Sequence, residues 1–244
     1  MLPILFQSDW IIIFSYPLFM GLAWGLGYQL TLKLLQNNNV QTNNFKIIYW
    51  GVFLSSWIGS KVFYLISSSQ GELTKIAINS NFWFGGGLVF YGGLIFGVIY
   101  ILTFCLIFKK FSLTDAYLFL PPVAISHGVG RIGCFLAGCC YGVQCDLPWG
   151  IHLHGAFRHP VQLYEAIILI IFGIFLYKKI NKTLRPKQVV LYYFVFYALI
   201  RFVLEFFRGD KIRGLYFGLS TSQLVSIAVI ILAIIFVPKI SEKN

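Results

Sequence analysis

The sequence predicts an all-helical, polytopic membrane protein, and three observations carry that class. Hydrophobic residues make up 58% of the 244 and charged residues only 11%, whereas soluble domains carry about 25% charged residues. This chain cannot cover a water-facing surface. Mean hydropathy is +0.79, and apolar stretches of roughly 20 residues, long enough to cross a bilayer, recur along the length. The 25 Phe, 14 Tyr and 6 Trp residues suit spanning helices with interfacial belts. The net charge of +11 does not indicate nucleic acid. The basic residues punctuate apolar segments instead of forming a patch interleaved with aromatics.

Hydropathy places about seven spans. They run near Ile12 to Leu35, Ile47 to Ile66, Gly86 to Phe108, Asp115 to Gly138, Val161 to Tyr177, Val189 to Phe207 and Leu219 to Val237. The connections hold the polar composition: a Gln/Asn loop from Gln36 to Asn44, a Ser/Asn-rich stretch from Ser67 to Asn81, and a basic one from Lys178 to Lys187. No linker long enough to separate two domains and no repeat is visible, so residues 1–244 read as one transmembrane domain. No Lys or Arg precedes Lys33. The first apolar segment thus lacks a basic n-region and is expected to remain in the mature protein.

The basic residues set the orientation. With the N-terminus outside, Lys33, Lys46, Lys109, Lys110, Lys178, Lys179, Lys182, Arg185, Lys187, Lys239 and Lys243 face the cytoplasm. Only Lys75, Arg158, Arg208, Lys211 and Arg213 face outward. That bias predicts N-terminus out and C-terminus in. Depth follows from the helical rise. Arg131 lies roughly 22 Å beyond the inner end of its span and Arg201 roughly 18 Å. Tyr16 and Tyr91 each sit about 5 residues inside outward-starting spans. All four fall in the outer half of the bilayer.

An arginine in lipid is costly unless something compensates it, so Arg131 and Arg201 mark a functional site. Arg201 has Glu205 four residues on, on the same helical face. Arg131 has no carboxylate within a turn. Near the headgroups, a planar guanidinium is suited to binding two phosphate oxygens at once, and Glu205 with Arg208 continues the polar stripe. In Tyr91-Gly92-Gly93-Leu94 the glycines permit either close helix packing or approach of a ligand to the backbone. Gly85-Gly86-Gly87 just before it suggests an irregular start to the span. His127 shares a helical face with Arg131 and can act as a general base, or simply bond a neighbouring carbonyl. Glu165, beside Gln162 and Tyr164, either orients a partner or caps its helix.

Cys134, Cys139, Cys140 and Cys145 do not have the spacing of paired C-x-x-C knuckles. In apolar surroundings they are expected to pack as small hydrophobes, and no metal site is expected. A disulfide from Cys145 to an outward neighbour is compatible with an oxidising outer compartment.

These segments together resemble the bacterial prolipoprotein diacylglyceryl transferases. The resemblance rests on Gly130-Arg131-Ile132-Gly133-Cys134-Phe135 through Gly142, on Tyr16, and on Tyr91-Gly92-Gly93-Leu94-Ile95. It continues through His159-Pro160-Val161-Gln162-Leu163-Tyr164-Glu165, then Arg201 to Arg208, then Leu219-Ser220-Thr221-Ser222-Gln223. These segments stand in the expected order, and the similarity extends over most of the chain.

The resemblance implies a multi-pass enzyme of the bacterial plasma membrane, acting as a monomer without a cofactor. It would move a diacylglyceryl group from phosphatidylglycerol to the lipobox cysteine of a preprolipoprotein, releasing glycerol 1-phosphate. Arg131 and Arg201 match the family's headgroup arginines, and Tyr16 also matches a site residue. Gly92, Gly93, Glu205 and Arg208 are expected to contribute to substrate binding. The departures lie in the surrounding polar shell. The family carries asparagine at the positions of Cys134 and Ala137, glutamate at that of Cys139, and histidine at that of Tyr91. Either Tyr91 or His127 therefore assists the acceptor thiol, or the thiol needs little assistance, or the chain is a divergent relative with another acceptor. The competing readings are a lipid-binding or transport protein derived from this family, and a membrane thiol oxidoreductase using Cys139-Cys140 and Cys145.

Overall fold

A computed structural model describes residues 2–8, 12–42, 44–68, 82, 90–108, 113–180, 182–209, 215–216 and 218–239. Strands β1 (Ile4–Gln7) and β2 (Ile12–Phe14) pair antiparallel ahead of helix α1 (Ser15–Asn37). Helices α2 (Phe45–Ser68) and α3 (Phe90–Phe108) follow. A 3-10 segment at Leu113–Phe119 leads into α4 (Leu120–Ala137). The hairpin of β3 (Ile151–Leu153) and β4 (Ala156–Arg158) precedes α5 (Val161–Lys179) and α6 (Pro186–Glu205). A last hairpin, β5 (Leu215–Tyr216) with β6 (Leu219–Ser220), opens α7 (Thr221–Phe236).

Helices lie under all seven apolar stretches. Among the described residues, four helical stretches are long and apolar enough to cross a membrane: Ser15–Asn37, Asp115–Ala137, Val161–Lys179 and Pro186–Glu205. Ile95–Phe104 and Thr221–Phe236 are shorter apolar helices. The protein is thus mainly helical and built for lipid. Local chemistry sets the ends. Prolines sit in the first turns of α4 and α6, where a missing N–H costs nothing. Ser220 and Gln223 close a capping box on α7, satisfying donors that the helix leaves open.

The chain divides into two compact units, one of Met1–Gly27 with Thr114–Asn244 and the other of Tyr28–Leu113. In the first, α4 packs on α5 and α6 on α7. A Cβ on Gly128 would lie 2.8 Å from the Ala166 carbonyl oxygen, and one on Gly173 2.6 Å from the Ile125 side chain. Lipid offers no hydrophobic drive between helices, so such close backbone approach is how they adhere. The outward face of α5 carries exposed Ile167, Ile171 and Ile174. Its inward face buries Gln162, Glu165, Ala166, Leu169 and Leu176. Polar groups inside and isoleucines outside suit a helix in a bilayer.

In the second unit α2 packs on α3. Gly92 and Gly93 lie in that contact, facing Gly59 and Phe63, and Ser60 and Ser56, respectively. Their observed role is helix packing, one of the two uses that the sequence permits. Gly85-Gly86-Gly87 falls outside the described residues. Tyr91 is on the first turn of α3, and its side chain is likewise outside them. Lys61 is fully buried in α2, donating to the Phe82 carbonyl and lying over the Phe82 ring.

Candidate active site

The site within the first unit is organised by the start of α5. Gln162 and Glu165 are one turn apart and both buried. Glu165 Oε2 lies 2.8 Å from Arg131 Nη2, and its Oε1 lies 3.7 Å from His127 Nε2. His127 and Arg131 are themselves one turn apart on α4, so a single carboxylate spans both. Arg131 therefore does have a carboxylate partner, which sequence distance concealed because it arrives from another helix. The pair is well desolvated, with side chains 10% and 3% exposed, and it ties α4 to α5. Arg131 Nε is buried and has no hydrogen-bond partner among the described residues.

A second arginine stands on α6. Arg201 Nη2 pairs with Glu205 Oε2 at 2.8 Å, one turn on. The same nitrogen donates to Ser222 Oγ at 3.2 Å, at the capped start of α7. Tyr197, one turn before Arg201, lies with its ring 5.6 Å from that of His127. It is within electrostatic range of Glu165, Arg201, Arg131 and Arg208. His127, Arg131, Glu165, Tyr197, Arg201 and Glu205 thus form one cluster, with Arg208 at its edge. Three guanidinium groups against two carboxylates leave one net positive charge. That matches a phosphodiester, which carries one negative charge.

The rim is the loop after α4. Gly138 ends that helix in the left-handed conformation at φ 75°. Its N–H donates to the Phe135 carbonyl at 3.1 Å, and the Cys139 N–H donates to the Cys134 carbonyl at 3.2 Å. This is the Schellman pattern, which folds the following residues back over the helix end. Gln162 Nε2 then donates to the Cys139 carbonyl at 2.6 Å. The loop is also sewn to its neighbours: Gly142 N–H to the His159 carbonyl, Val143 N–H to that of Phe207, and Gly209 N–H to that of Tyr141. Arg158 stacks on the Tyr141 ring at 4.8 Å and donates to the Leu153 carbonyl at 3.0 Å. Gly142 bridges Arg208, which holds the third arginine beside the rim.

The cysteines depart from their expected behaviour. Cys134, Cys139, Cys140 and Cys145 are all free, so the Cys145 disulfide is not formed. Only Cys134 is buried; Cys139 is exposed and Cys140 half-buried. The Schellman turn is the physical reason, since it lifts Cys139 off the helix that buries Cys134. The Cys140 thiol is drawn well below the usual thiol range by hydrogen bonds to Cys134 and Cys139, with the Arg131 and Arg208 guanidinium groups adding to the effect.

Of the residues singled out from sequence, the fold brings Arg131, Arg201, His127, Glu205 and Arg208 together. Tyr16 joins them from α1, with its phenol within electrostatic range of Arg131 and the thiols of Cys134, Cys139 and Cys140. Tyr91, Gly92 and Gly93 belong to the other unit. Sequence reasoning missed Tyr197 and gave Ser222 no role. Tyr197 carried a usable signal, its four-residue offset from Arg201. Lys61 was also passed over, although a lysine within an apolar span is itself a reason to look.

The structure is that of a helical membrane protein with a carboxylate-buttressed arginine cluster, an arrangement able to offer fixed positive charge to an anionic group. The family model for prolipoprotein diacylglyceryl transferase matches residues 3–238. The chain is 33% identical over 229 residues to the phosphatidylglycerol–prolipoprotein diacylglyceryl transferase of Finegoldia magna, covering 90% of this chain and 88% of that one. To the enzyme of that name from Clostridium tetani it is 31% identical over 246 residues, covering 96% of each. A second such transferase of Clostridium perfringens is 33% identical over 186 residues, covering 73% of this chain and 72% of its own. The chain belongs to the prolipoprotein diacylglyceryl transferase family.

Proposed function

We propose that this protein transfers a diacylglyceryl group from phosphatidylglycerol to the lipobox cysteine of preprolipoproteins, the first step of lipoprotein maturation. The carrying observation is the buried Arg131–Glu165 pair within a cluster of one net positive charge. Glu165 pairs with Arg131 Nη2, and the unpartnered Nε is the donor proposed to meet a phosphate oxygen. Arg201, set by Glu205 and Ser222, supplies the second contact, with Arg208 and Tyr16 at the rim. Tyr91, Gly92 and Gly93 on α3 are proposed as binding residues from the family resemblance alone. In this reading residues 1–244 act as one transmembrane domain of seven spans in the bacterial plasma membrane. The N-terminus faces outward, the C-terminus is cytoplasmic, and one chain suffices.

The acceptor sulfur attacks the glyceryl carbon that bears the phosphate ester. A C–S bond forms as the C–O bond breaks, and the phosphate departs with its glycerol. Negative charge on the phosphate grows along this path, so fixed guanidinium groups stabilise the transition state more than the bound lipid. The nucleophile is the thiolate, and free cysteine has a pKa of about 8.5. His127, oriented by Glu165, takes the thiol proton.

The test is incubation of the purified protein with labelled phosphatidylglycerol and a lipobox peptide, followed by mass analysis. The expected product is a peptide heavier by one diacylglyceryl group on cysteine, with glycerol phosphate released. Lipid binding without either product would support the non-catalytic reading instead. If His127 is the base, it must be unprotonated to act, so activity falls as pH drops. His127→Gln is expected to flatten that acid limb of the pH–rate profile. An unchanged profile would remove His127 from proton transfer.

A further inference from the structure

We infer that Cys134, Cys139 and Cys140 form a three-thiolate site for a single thiophilic cation of the zinc class. Their sulfur atoms all lie within 4.8 Å of one another. Tetrahedral zinc with bonds of about 2.3 Å places its sulfurs about 3.8 Å apart, so closure needs movements of roughly 1 Å. The backbone already supplies the convergence. The Schellman turn at Gly138 returns Cys139 towards Cys134, the residue whose carbonyl accepts its N–H. The Cys139 thiol also donates to that carbonyl at 3.6 Å. Cys140 adopts φ 59°, a left-handed conformation that is costly for a non-glycine residue. Gln162 pins the loop from α5 at the Cys139 carbonyl.

The surroundings suit such an ion. Cys134 forms a buried floor while Cys139 is exposed, which gives an approach path. Three thiolates around a dication carry one net negative charge, beside the guanidinium groups of Arg131 and Arg208. Three protein ligands leave a fourth position for an exchangeable ligand, the arrangement of open zinc sites. Spacing along the chain gave no hint of this, because a helix end and a reversing turn, not paired knuckles, bring the thiols together. Cys145 stands apart, its N–H bonded to the Phe157 carbonyl, and serves as an internal control.

The full-length protein, purified under reducing conditions, is titrated with Cd²⁺ as a spectroscopic probe. One equivalent is expected to saturate a thiolate-to-cadmium charge-transfer band, with Zn²⁺ displacing it. Altering groups that merely support metal ligands costs 10–100-fold in affinity, so Cys139→Ser and Cys140→Ser should each weaken binding by at least ~100-fold. Cys145→Ser should not. Cys139 is exposed, so Cys139→Ser should disturb folding least, and its elution profile checks this. The proposal fails if no band saturates at one equivalent, or if the band survives Cys139→Ser. It also fails if the cluster isolated without reductant holds a disulfide and no metal.

Discussion

Arg131→Ala is expected to lower transfer to a lipobox peptide by at least ~10²-fold, the range typical of losing one preorganised donor to a developing anion. The substitution also strands Glu165, which is 3% exposed, so lost activity alone would be ambiguous. The double change Arg131→Ala with Glu165→Gln removes the stranded charge. It should recover membrane accumulation and thermal stability without recovering turnover. Arg131→Lys keeps the cation but loses the planar fork, and should fall between wild type and alanine. Near-normal turnover in Arg131→Ala would exclude the guanidinium from the reaction.

Glu165→Ala should have the largest effect on stability. It leaves the Arg131 guanidinium buried without its carboxylate and removes the group facing His127. Breaking a buried pair from one side costs about 3–5 kcal/mol. Thermal unfolding in detergent should show a clear loss for Glu165→Ala and a smaller one for Glu165→Gln, which keeps a carbonyl acceptor. An unchanged unfolding midpoint in Glu165→Ala would show that the pair does not hold α4 to α5. Activity should fall in both variants, because each alters the support of Arg131.

The contrast between Arg201 and Arg131 shows what the sequence makes visible. Arg201 and Glu205 are four residues apart on one helix, and the fold places them in contact at 2.8 Å. That pairing is local and follows from helical geometry. Arg131 and Glu165 are on different helices, joined by a loop and a hairpin, and no periodicity links them. The apolar stretches were legible for the same reason as Arg201, since each is a property of one continuous segment. Gly92 and Gly93 were legible as small residues, but which helix they faced was not. The cysteines were misread because their burial depends on a turn. Gly138 in the left-handed conformation separates one buried thiol from an exposed one only a few residues away.

The rim loop is fixed to three neighbouring elements. The ties that hold it to β4, to α5 and to the end of α6 run largely through main-chain groups: Gly142 with His159, Val143 with Phe207, Gly209 with Tyr141. Gln162 likewise grips the Cys139 carbonyl and not its thiol. A scaffold anchored by peptide atoms is largely indifferent to the side chains it displays. The rim of the arginine cluster is therefore free to drift in composition while the arginines stay in register. A departure such as cysteine for a polar residue can then arise as a change of chemistry without a change of shape.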